Sequence, residues 1–565
     1  MIMRTASLSS KMSRDGYVLV AVLIVLVVLT LAAYRYSDLM ISEYRATDRI
    51  FKNVEAKALA DAGIHYTMAQ LADPNAFATN LGGNPYYNQG VFQNASVNIA
   101  GAQGNFSIMS VDYAADTGSG MVPLRYGVTD EAGRINVNAI VQRDPSPNGV
   151  AYTTLMGLPG MTDDVAYAII DWIDADNNVT SNGAEDSYYM ALSPPYHCKN
   201  APLNSIEELL LVRGVTPLLL FGNDLNRNGM QDPEEESGGT FNYGWAPFLT
   251  IYSHESLVSS TGSQLYNLND KNIPTLYQNL KATVGDQLAA YIIGYRIYSL
   301  APASSSSSSN QSASSSAGGG QAGQLSALVQ KVEQDLAASN PPSSQRNISS
   351  IYSLIGTSIN VTSQQQGASG GTTSTQKSSS NGTDKDDGTG SSKSTSSGGQ
   401  SQTKTVTTTY TCPIADPGTA RQFLPAVLLN TTTQSASKPP LGRINVNTAT
   451  MTVISTLPGL NQTDIAAIVA AQQSNLTSSQ SSDPVYQTTA WLYTDAQITA
   501  AKMAALDSYI TATTQVYRIQ SIGYFAKGGP VARVEAVVDI NQGQPRILYY
   551  RDLTDLGRAI DPRNN

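Results

Sequence analysis

An uncharged apolar run at residues 17–34 constrains the fold more than any other feature of the sequence. Valine and leucine fill most of its positions, and a polar leader that ends in Gly16 precedes it. A helix needs about 18 to 20 apolar residues to cross the hydrocarbon core of a bilayer. The run is followed by Tyr34-Arg35-Tyr36, not by the small residues of a secretory cleavage site. The sequence therefore predicts a membrane-spanning helix, either processed ahead of the run or kept as an ordinary signal anchor.

The apolar pattern continues beyond this run at helical spacing. Apolar side chains recur every three or four positions over residues 37–71, and the next proline is Pro74. We predict one helix over residues 17–75, about 80 Å long from its start to Leu71, after a leader at 1–16. Later apolar stretches are too short to span a bilayer, so a single pass is expected.

Two distant regions alternate polar and apolar residues as sheet strands do. The first covers residues 92–138 and the second covers residues 515–551. We expect both regions to form one antiparallel sheet packed on the long helix, which gives an α+β fold. The residues between them are then a large insertion.

The insertion contains a repeated motif. The sequence Gly-Arg-Ile-Asn-Val-Asn occurs at residues 133–138 and again at 442–447, and each copy leads to a Leu-Pro-Gly turn and a helical pattern. Helix, hairpin and helix is the physical interpretation of each copy. We predict an inserted α-helical, helix-hairpin-helix (SAM-like) domain at 139–301 and a second helix-hairpin-helix region at 406–514.

Residues 302–405 separate these two regions and are dominated by Ser, Gly, Thr and Gln. Such sequence buries too little apolar surface to offset the entropy of ordering it. We interpret the segment as disordered linkers with short helices at 325–336 and 348–361.

Acidic residues are concentrated in one part of the insertion. The chain of 565 residues has a formal net charge of −10, and residues 161–237 contain fourteen acidic and three basic residues. Helix-hairpin-helix motifs often bind nucleic-acid phosphates, but phosphate binding depends on basic neighbours. We therefore expect no nucleic acid, and the hairpins are interpreted as a packing scaffold. A membrane-anchored DNA-binding uptake protein and a calcium-stabilised surface structural protein remain as alternatives.

One acidic segment has the full spacing of an EF-hand loop. Oxygen ligands occupy loop positions 1, 3, 5, 9 and 12, glycine occupies position 6, and a main-chain carbonyl is available at position 7. In chain order these residues are Asp224, Asn226, Asn228, Gly229, Met230, Asp232 and Glu235. The pattern predicts calcium, with a plain solvated turn as the alternative.

A second cluster has part of the same spacing. Asp174, Asp176, Asn178 and Glu185 stand at positions 1, 3, 5 and 12, but Val179 takes the place of the glycine. This cluster alone is a weaker calcium candidate than the first.

Catalysis and disulfide chemistry find little support in the sequence. His65, His197 and His254 are scattered and belong to no nucleophile or metalloprotease motif, so we expect no enzyme activity. Cys198 and Cys412 permit one possible disulfide in an oxidising compartment.

The start of the chain resembles the type IV prepilins. In that family a glycine immediately precedes an apolar helix that the mature protein keeps, as Gly16 precedes Tyr17 here. The family usually has glutamate at the fifth mature position, where this chain has Ala21. The K-type minor pseudopilins of type II secretion systems regularly lack that glutamate. Residues 130–138, 171–176 and 183–189 also resemble K-type signatures.

The resemblance implies a role in assembly. A prepilin peptidase would cut after Gly16 and methylate Tyr17, and the protein would join the major pseudopilin and other minor pseudopilins to start and cap a filament for protein export. The anchor would lie in the inner membrane, with the C-terminal bulk in the periplasm. The resemblance also implies calcium in the acidic loops, including Asp186 beside Glu185.

Overall fold

The computed structural model of the protein describes residues 15–99, 102–113, 123–224, 226–229, 232, 235, 242–258, 263–302, 321–338, 345–365, 404–434, 442–477, 483–541 and 544–556. Its helices are α1 (Asp15–Ala72), α2 (Pro74–Thr79), α3 (Gln89–Phe92), α4 (Val137–Arg143), α5 (Val150–Met156), α6 (Asp163–Ile173), α7 (Asp186–Tyr189), α8 (Pro217–Phe221), α9 (Ile273–Val284), α10 (Asp286–Ile297), α11 (Gln321–Ala337), α12 (Pro417–Asn430), α13 (Met451–Ser455), α14 (Gln462–Thr477), α15 (Ala490–Thr494) and α16 (Ala500–Leu506). Its strands are β1 (Ala95–Ile99), β2 (Ala102–Val111), β3 (Leu124–Tyr126), β4 (Thr129–Asp130), β5 (Ile135–Asn136), β6 (Leu249–Thr250), β7 (Tyr266–Asn267), β8 (Ser299–Leu300), β9 (Ser358–Gln365), β10 (Lys404–Thr411), β11 (Thr431–Thr432), β12 (Ile444–Asn445), β13 (Ile510–Thr511), β14 (Val516–Phe525), β15 (Ala532–Asp539) and β16 (Arg546–Asp552).

The chain forms two compact units. The first contains Met1–Glu131, Tyr167–Tyr252 and Gln515–Asn565, and the second contains Ala132–Ala166 and Ser253–Thr514. This division differs from the predicted boundaries, because Tyr167–Tyr252 contacts the C-terminal strands in the first unit: Glu207 pairs with Arg551, and Arg533 donates to the carbonyls of Asn226 and Arg227.

The first unit is built on an antiparallel sheet. Its strand order is β1-β2-β14-β15-β16, with β3 paired to β2 and β4 paired to β14. In this register Ile108 lies opposite Ser521, more than 400 residues away in the sequence. The prediction that the two strand regions share one sheet is therefore confirmed.

Helix α1 changes environment along its length. Its large apolar side chains are exposed from Tyr17 to Val54, whereas Ala56, Ala60 and Ile64 are buried. Those three residues pack in one core with apolar side chains of the sheet: Phe106, Ile108, Ile519, Val534 and Val538. Among the described helices, α1 is long and apolar enough to cross a membrane. The predicted long helix packed on a sheet is thus confirmed.

Glycines permit the close approach of α1 to the sheet. A Cβ atom at Gly523 in β14 would lie 2.1 Å from the main-chain oxygen of Ala56 and 2.5 Å from the nitrogen of Ala60. A Cβ atom at Gly104 in β2 would lie 2.4 Å from the Leu59 side chain. The helix backbone therefore rests directly on the sheet at Gly523, and the Leu59 side chain fills the space over Gly104.

The second unit is mainly helical. Helices α9 and α10 follow each other across Gly285, whose φ is +87°. Residues 288–297 of α10 are buried on all sides, as expected for an apolar helix at the centre of a core. Helix α12 begins at a capping box in which the Asp416 side chain accepts the backbone N–H groups of Gly418 and Thr419.

The two copies of the repeated motif contact each other within the second unit. A Cβ atom at Gly157, just before the first Leu-Pro-Gly turn, would lie 2.6 Å from the Thr456 methyl group, and Thr456 holds the equivalent place in the second copy. The turn glycines Gly160 and Gly459 have φ values of +69° and +78°. The SAM-like description of these regions stays a prediction.

The predicted linker region has more structure than expected at its borders. Helix α11 confirms the helix predicted at 325–336, but the region predicted as helix at 348–361 contains the 3-10 turn Ile351–Leu354 and the first part of β9. Strand β9 pairs with β10 in antiparallel register, from Ser358 opposite Thr411 to Gln365 opposite Lys404. Residues 303–320 and 366–403, on which the prediction of disorder mainly falls, lie outside the described residues.

Candidate metal centre

Three carboxylates of the first unit converge in the loop between α6 and α7. Oxygen atoms of Asp174, Asp176 and Glu185 all lie within 4.8 Å of one another. Helix α6 places Asp174 directly after its last turn, and Glu185 is the residue before the first turn of α7. We call these three residues the Glu185 cluster.

The Glu185 cluster contains buried oxygen atoms without a hydrogen-bond partner. Glu185 is 1% exposed, and neither of its carboxylate oxygens meets a donor among the described residues. Oδ1 of Asp174 is in the same situation. A buried carboxylate without a donor costs free energy, so these atoms fit a bound cation.

The electrostatics of the cluster agree with this geometry. Burial is the main cause that raises the pKa of Glu185 to about 7, and the neighbouring carboxylates Asp171, Asp174 and Asp176 contribute to this rise. Burial likewise raises the pKa of Asp174 to about 6, with Asp176 and Asp171 adding to the effect. The folded chain thus opposes the charged form of these groups.

Asp171 belongs beside the cluster, and we did not single it out from the sequence. It is fully buried, its carboxylate accepts the backbone N–H of Thr180 at 3.2 Å, and burial raises its pKa to about 6. A Cβ atom at Gly183 would lie 2.0 Å from its Oδ2, so the loop needs glycine there. The spacing of three residues between Asp171 and Asp174 places them on the same face of a helix, and this spacing could have indicated from the sequence that Asp171 lies beside the cluster.

Two residues predicted as ligands of this loop point to other partners. The Asn178 side chain and backbone both donate to Oδ1 of Asp176, at 2.7 and 2.8 Å. Asp186 lies 3.0 Å from the His197 ring nitrogen and accepts the backbone N–H of Cys198 at 2.8 Å. Asn178 and Asp186 therefore orient the loop in this structure, and their role as ligands stays a prediction.

The EF-hand-like segment is also in the first unit, and donors from its own loop surround its carboxylates. Asp224 accepts the backbone N–H groups of Asn228 and Gly229, both at 2.9 Å. Glu235 accepts those of Asn226 and Asp232, both at 3.2 Å. Met230, predicted at position 7, lies outside the described residues. Calcium in this loop stays a prediction.

The possible disulfide is not formed. Cys198 and Cys412 are both buried free thiols, and burial raises the pKa of each to about 12. Cys198 is in the first unit and Cys412 is in the second. The Cys198 thiol donates to the Asp171 carbonyl at 3.7 Å, directly under the Glu185 cluster.

The predicted processing site lies at the start of α1. The helix includes Gly16 and Tyr17, and Tyr17 is exposed. Residues 1–14 of the leader lie outside the described residues, so cleavage after Gly16 stays a prediction.

The donor set of the Glu185 cluster determines which metals suit it. All the converging groups are carboxylates, and Ca²⁺ is a hard cation that prefers oxygen ligands in flexible geometry. The Cys198 thiol donates to the Asp171 carbonyl and is not among the converging groups. The residues therefore fit calcium better than zinc or copper.

Comparisons with known proteins place one region in a family. Residues 133–220 match the model of the family described as type II secretion system (T2SS), protein K. Type II secretion system protein K of Pectobacterium carotovorum is 38% identical over 100 residues, which are 16% of this chain and 30% of that protein. The protein of the same name from Aeromonas hydrophila is 29% identical over 216 residues, which are 36% of this chain and 60% of that protein.

A solved structure was also compared with the whole chain. A chain in the GspK-GspI-GspJ complex of the type 2 secretion system of enterotoxigenic Escherichia coli is 10% identical, over 91% of this chain and 98% of that chain. Its TM-score of 0.34 is too low to establish a common fold. The sequence matches confirm the resemblance seen in the motifs: residues 133–220 of this chain are similar to protein K of type II secretion systems.

Proposed function

We propose that the protein is a minor pseudopilin of a type II secretion system. The observation that carries this proposal is the order of the parts along the chain. The first half of α1 is apolar and exposed, and its second half packs on an antiparallel sheet. The region similar to protein K, residues 133–220, lies between strands of that sheet in the sequence. The exposed apolar part of α1 anchors the protein in the inner membrane, and the rest of the two units lies in the periplasm.

We place the protein at the tip of the filament, where it starts and caps assembly. Ala21 replaces the acidic residue that would meet the N-terminal amine of an adjacent subunit in the apolar filament core. A subunit with no neighbour above it meets no such amine, so a carboxylate at this position would stay unpaired. The partners are then the major pseudopilin, other minor pseudopilins and the prepilin peptidase.

We further propose calcium as the structural cofactor, held first by Asp174, Asp176 and Glu185. Unpartnered buried oxygens and raised pKa values support this site. A bound calcium ion supplies the positive charge that these carboxylates lack. Asp171 and Gly183 hold the loop in the shape that brings the three together.

The proposal predicts that the pH dependence of stability differs with and without calcium. In a chelator, folding raises the pKa of Glu185 from 4.5 to about 7, so the folded state binds its proton more tightly than the unfolded state. The free energy of unfolding is then highest at low pH and falls as the pH rises from about 4.5 to about 7. Calcium binds the deprotonated carboxylates and should cancel that fall.

Thermal unfolding of the full chain in detergent micelles, between about pH 5 and pH 8, measures this difference. The variant Asp174→Asn with Glu185→Gln has the same shape without the charges, and we expect it to lose both dependences. Parallel pH profiles of the native chain in calcium and in chelator would contradict the calcium site.

The prepilin step is tested at Gly16. We expect Gly16→Leu to leave only the uncleaved form, because a bulky side chain would block the peptidase, and secretion to stop as a result. Intact-mass measurement of protein from membranes separates the two forms. Ser10→Ala, in the same leader, should be processed normally. A native chain that retains residues 1–16 would disprove the prepilin assignment.

A further inference from the structure

The turn formed by Asp224 and residues 226–229, which we call the Asp224 turn, supplies hydrogen-bond donors to its carboxylate, unlike the loop of the Glu185 cluster. Both oxygens of Asp224 accept backbone N–H groups of the turn at 2.9 Å. The side-chain amides of Asn226 and Asn228 donate to Oδ2 of Asp232, at 2.5 and 2.8 Å. N–H groups thus occupy positions around these carboxylates at which a cation would otherwise bind.

Arg533 connects the Asp224 turn to the sheet. It stands on β15 and is 4% exposed. Its Nη1 donates to the Asn226 carbonyl at 3.0 Å, and its Nη2 donates to the Arg227 carbonyl. Hydrogen bonds from a guanidinium are charge-assisted and stronger than neutral ones. One buried arginine therefore holds two successive carbonyls of the turn.

Gly229 makes a second contact between the turn and the sheet. Its φ of +73° is unfavourable for other residues, and a Cβ atom there would lie 2.5 Å from both methyl groups of Val111 in β2. Glycine at this position therefore satisfies two requirements, the sharp turn and the close contact with β2.

Arg227 makes the third contact. Its guanidinium lies 4.3 Å from the Phe221 ring centroid and forms an ion pair with Glu207 at 3.1 Å. Glu207 also binds Arg551 of β16 at 2.8 Å. The turn is thus linked to β2, β15 and β16 of the same sheet.

We propose that Arg533 is a positioning residue that fastens the Asp224 turn to the sheet and acts as its internal cation, so that the turn keeps its conformation without calcium. The loop of the Glu185 cluster also has an arginine, Arg213, which donates to the Gly183 carbonyl at 2.9 Å, but the buried oxygens of Glu185 and Asp174 accept no backbone N–H group and depend on the ion. This contrast between the two loops rests on the calcium proposal above, whereas the role of Arg533 does not.

Hydrogen exchange with mass spectrometry tests the proposal on the full chain in detergent micelles, in calcium chloride and in EGTA. In the native chain, EGTA should speed exchange in peptides that contain residues 174–186 and leave those with residues 226–229 within about twofold. Arg533→Met should speed exchange at 226–229 in EGTA by about tenfold or more, because the charged hydrogen bonds are lost. Calcium should restore part of that protection, which a purely structural defect would not allow.

Two further variants serve as controls. Arg533→Lys keeps the charge and should show a smaller increase, and Lys527→Met, in an exposed turn of the same sheet, should leave residues 226–229 unchanged. The proposal is wrong if EGTA alone opens residues 226–229 of the native chain, a comparison that needs no variant to fold. It is also wrong if Arg533→Met creates no calcium dependence. An unresponsive segment 174–186 would overturn the calcium site and leave the Arg533 result standing.

Discussion

Replacement of Arg518 by methionine should destabilise the first unit by about 3–5 kcal/mol, the largest effect that we expect of one substitution. Arg518 lies 2.6 Å from Glu131 and 2.6 Å from Glu535, and both carboxylates are buried. Methionine fills similar space but removes the guanidinium that both buried carboxylates contact. Glu131 also accepts a hydrogen bond from the Thr250 hydroxyl.

Denaturant unfolding of the full chain in micelles measures this loss. The matched control is Arg551→Met, because the ion pair of Arg551 with Glu207 is about one third exposed. Exposed pairs contribute less than about 1 kcal/mol. Equal losses in the free energy of unfolding of the two variants would show that the ion pairs of Arg518 with Glu131 and Glu535 contribute no more to stability than a surface pair does.

The second large effect should come from Gly523→Ala. The new Cβ atom would lie 2.1 Å from the Ala56 main-chain oxygen, and neither the helix backbone nor the strand can move aside without separating α1 from the sheet. We expect a loss of about 3 kcal/mol, at the upper end for overpacking, and faster hydrogen exchange in the buried half of α1.

Gly90→Ala is the control for this substitution. Gly90 is also in the first unit and has only the Asn88 side chain, 4.0 Å away, near its virtual Cβ. Alanine in helix α3 should change stability by at most about 1 kcal/mol. If Gly523→Ala unfolds like the native chain, α1 does not rest on β14 as described.

The long helix and the sheet could be predicted because their signals are local. The apolar run and its helical continuation determine α1, and strict alternation determines strands such as β14. Strand β9 was missed because its pairing partner, β10, lies beyond a low-complexity segment. A strand that depends on a distant partner looks, in its own sequence, much like a short helix.

The position of the acidic segment could not be predicted for a similar reason. Its partners Arg533 and Arg551 lie about 300 residues later in the sequence, and no local pattern connects Asn226 with Arg533. Spacing alone favoured the EF-hand-like segment as the stronger calcium site. The structure leaves oxygens unpartnered in the Glu185 cluster instead, because burial and donor supply depend on tertiary packing.

The position of the protein on isolated filaments tests the central claim most directly. Gold labels attached to a tag in the second unit, viewed by electron microscopy, should mark one end of each filament at low stoichiometry if the protein is a capping minor pseudopilin. Ala21→Glu should not move the label or improve assembly, since a tip subunit has no neighbour above it. Labels spread evenly along the filament shaft would contradict the account.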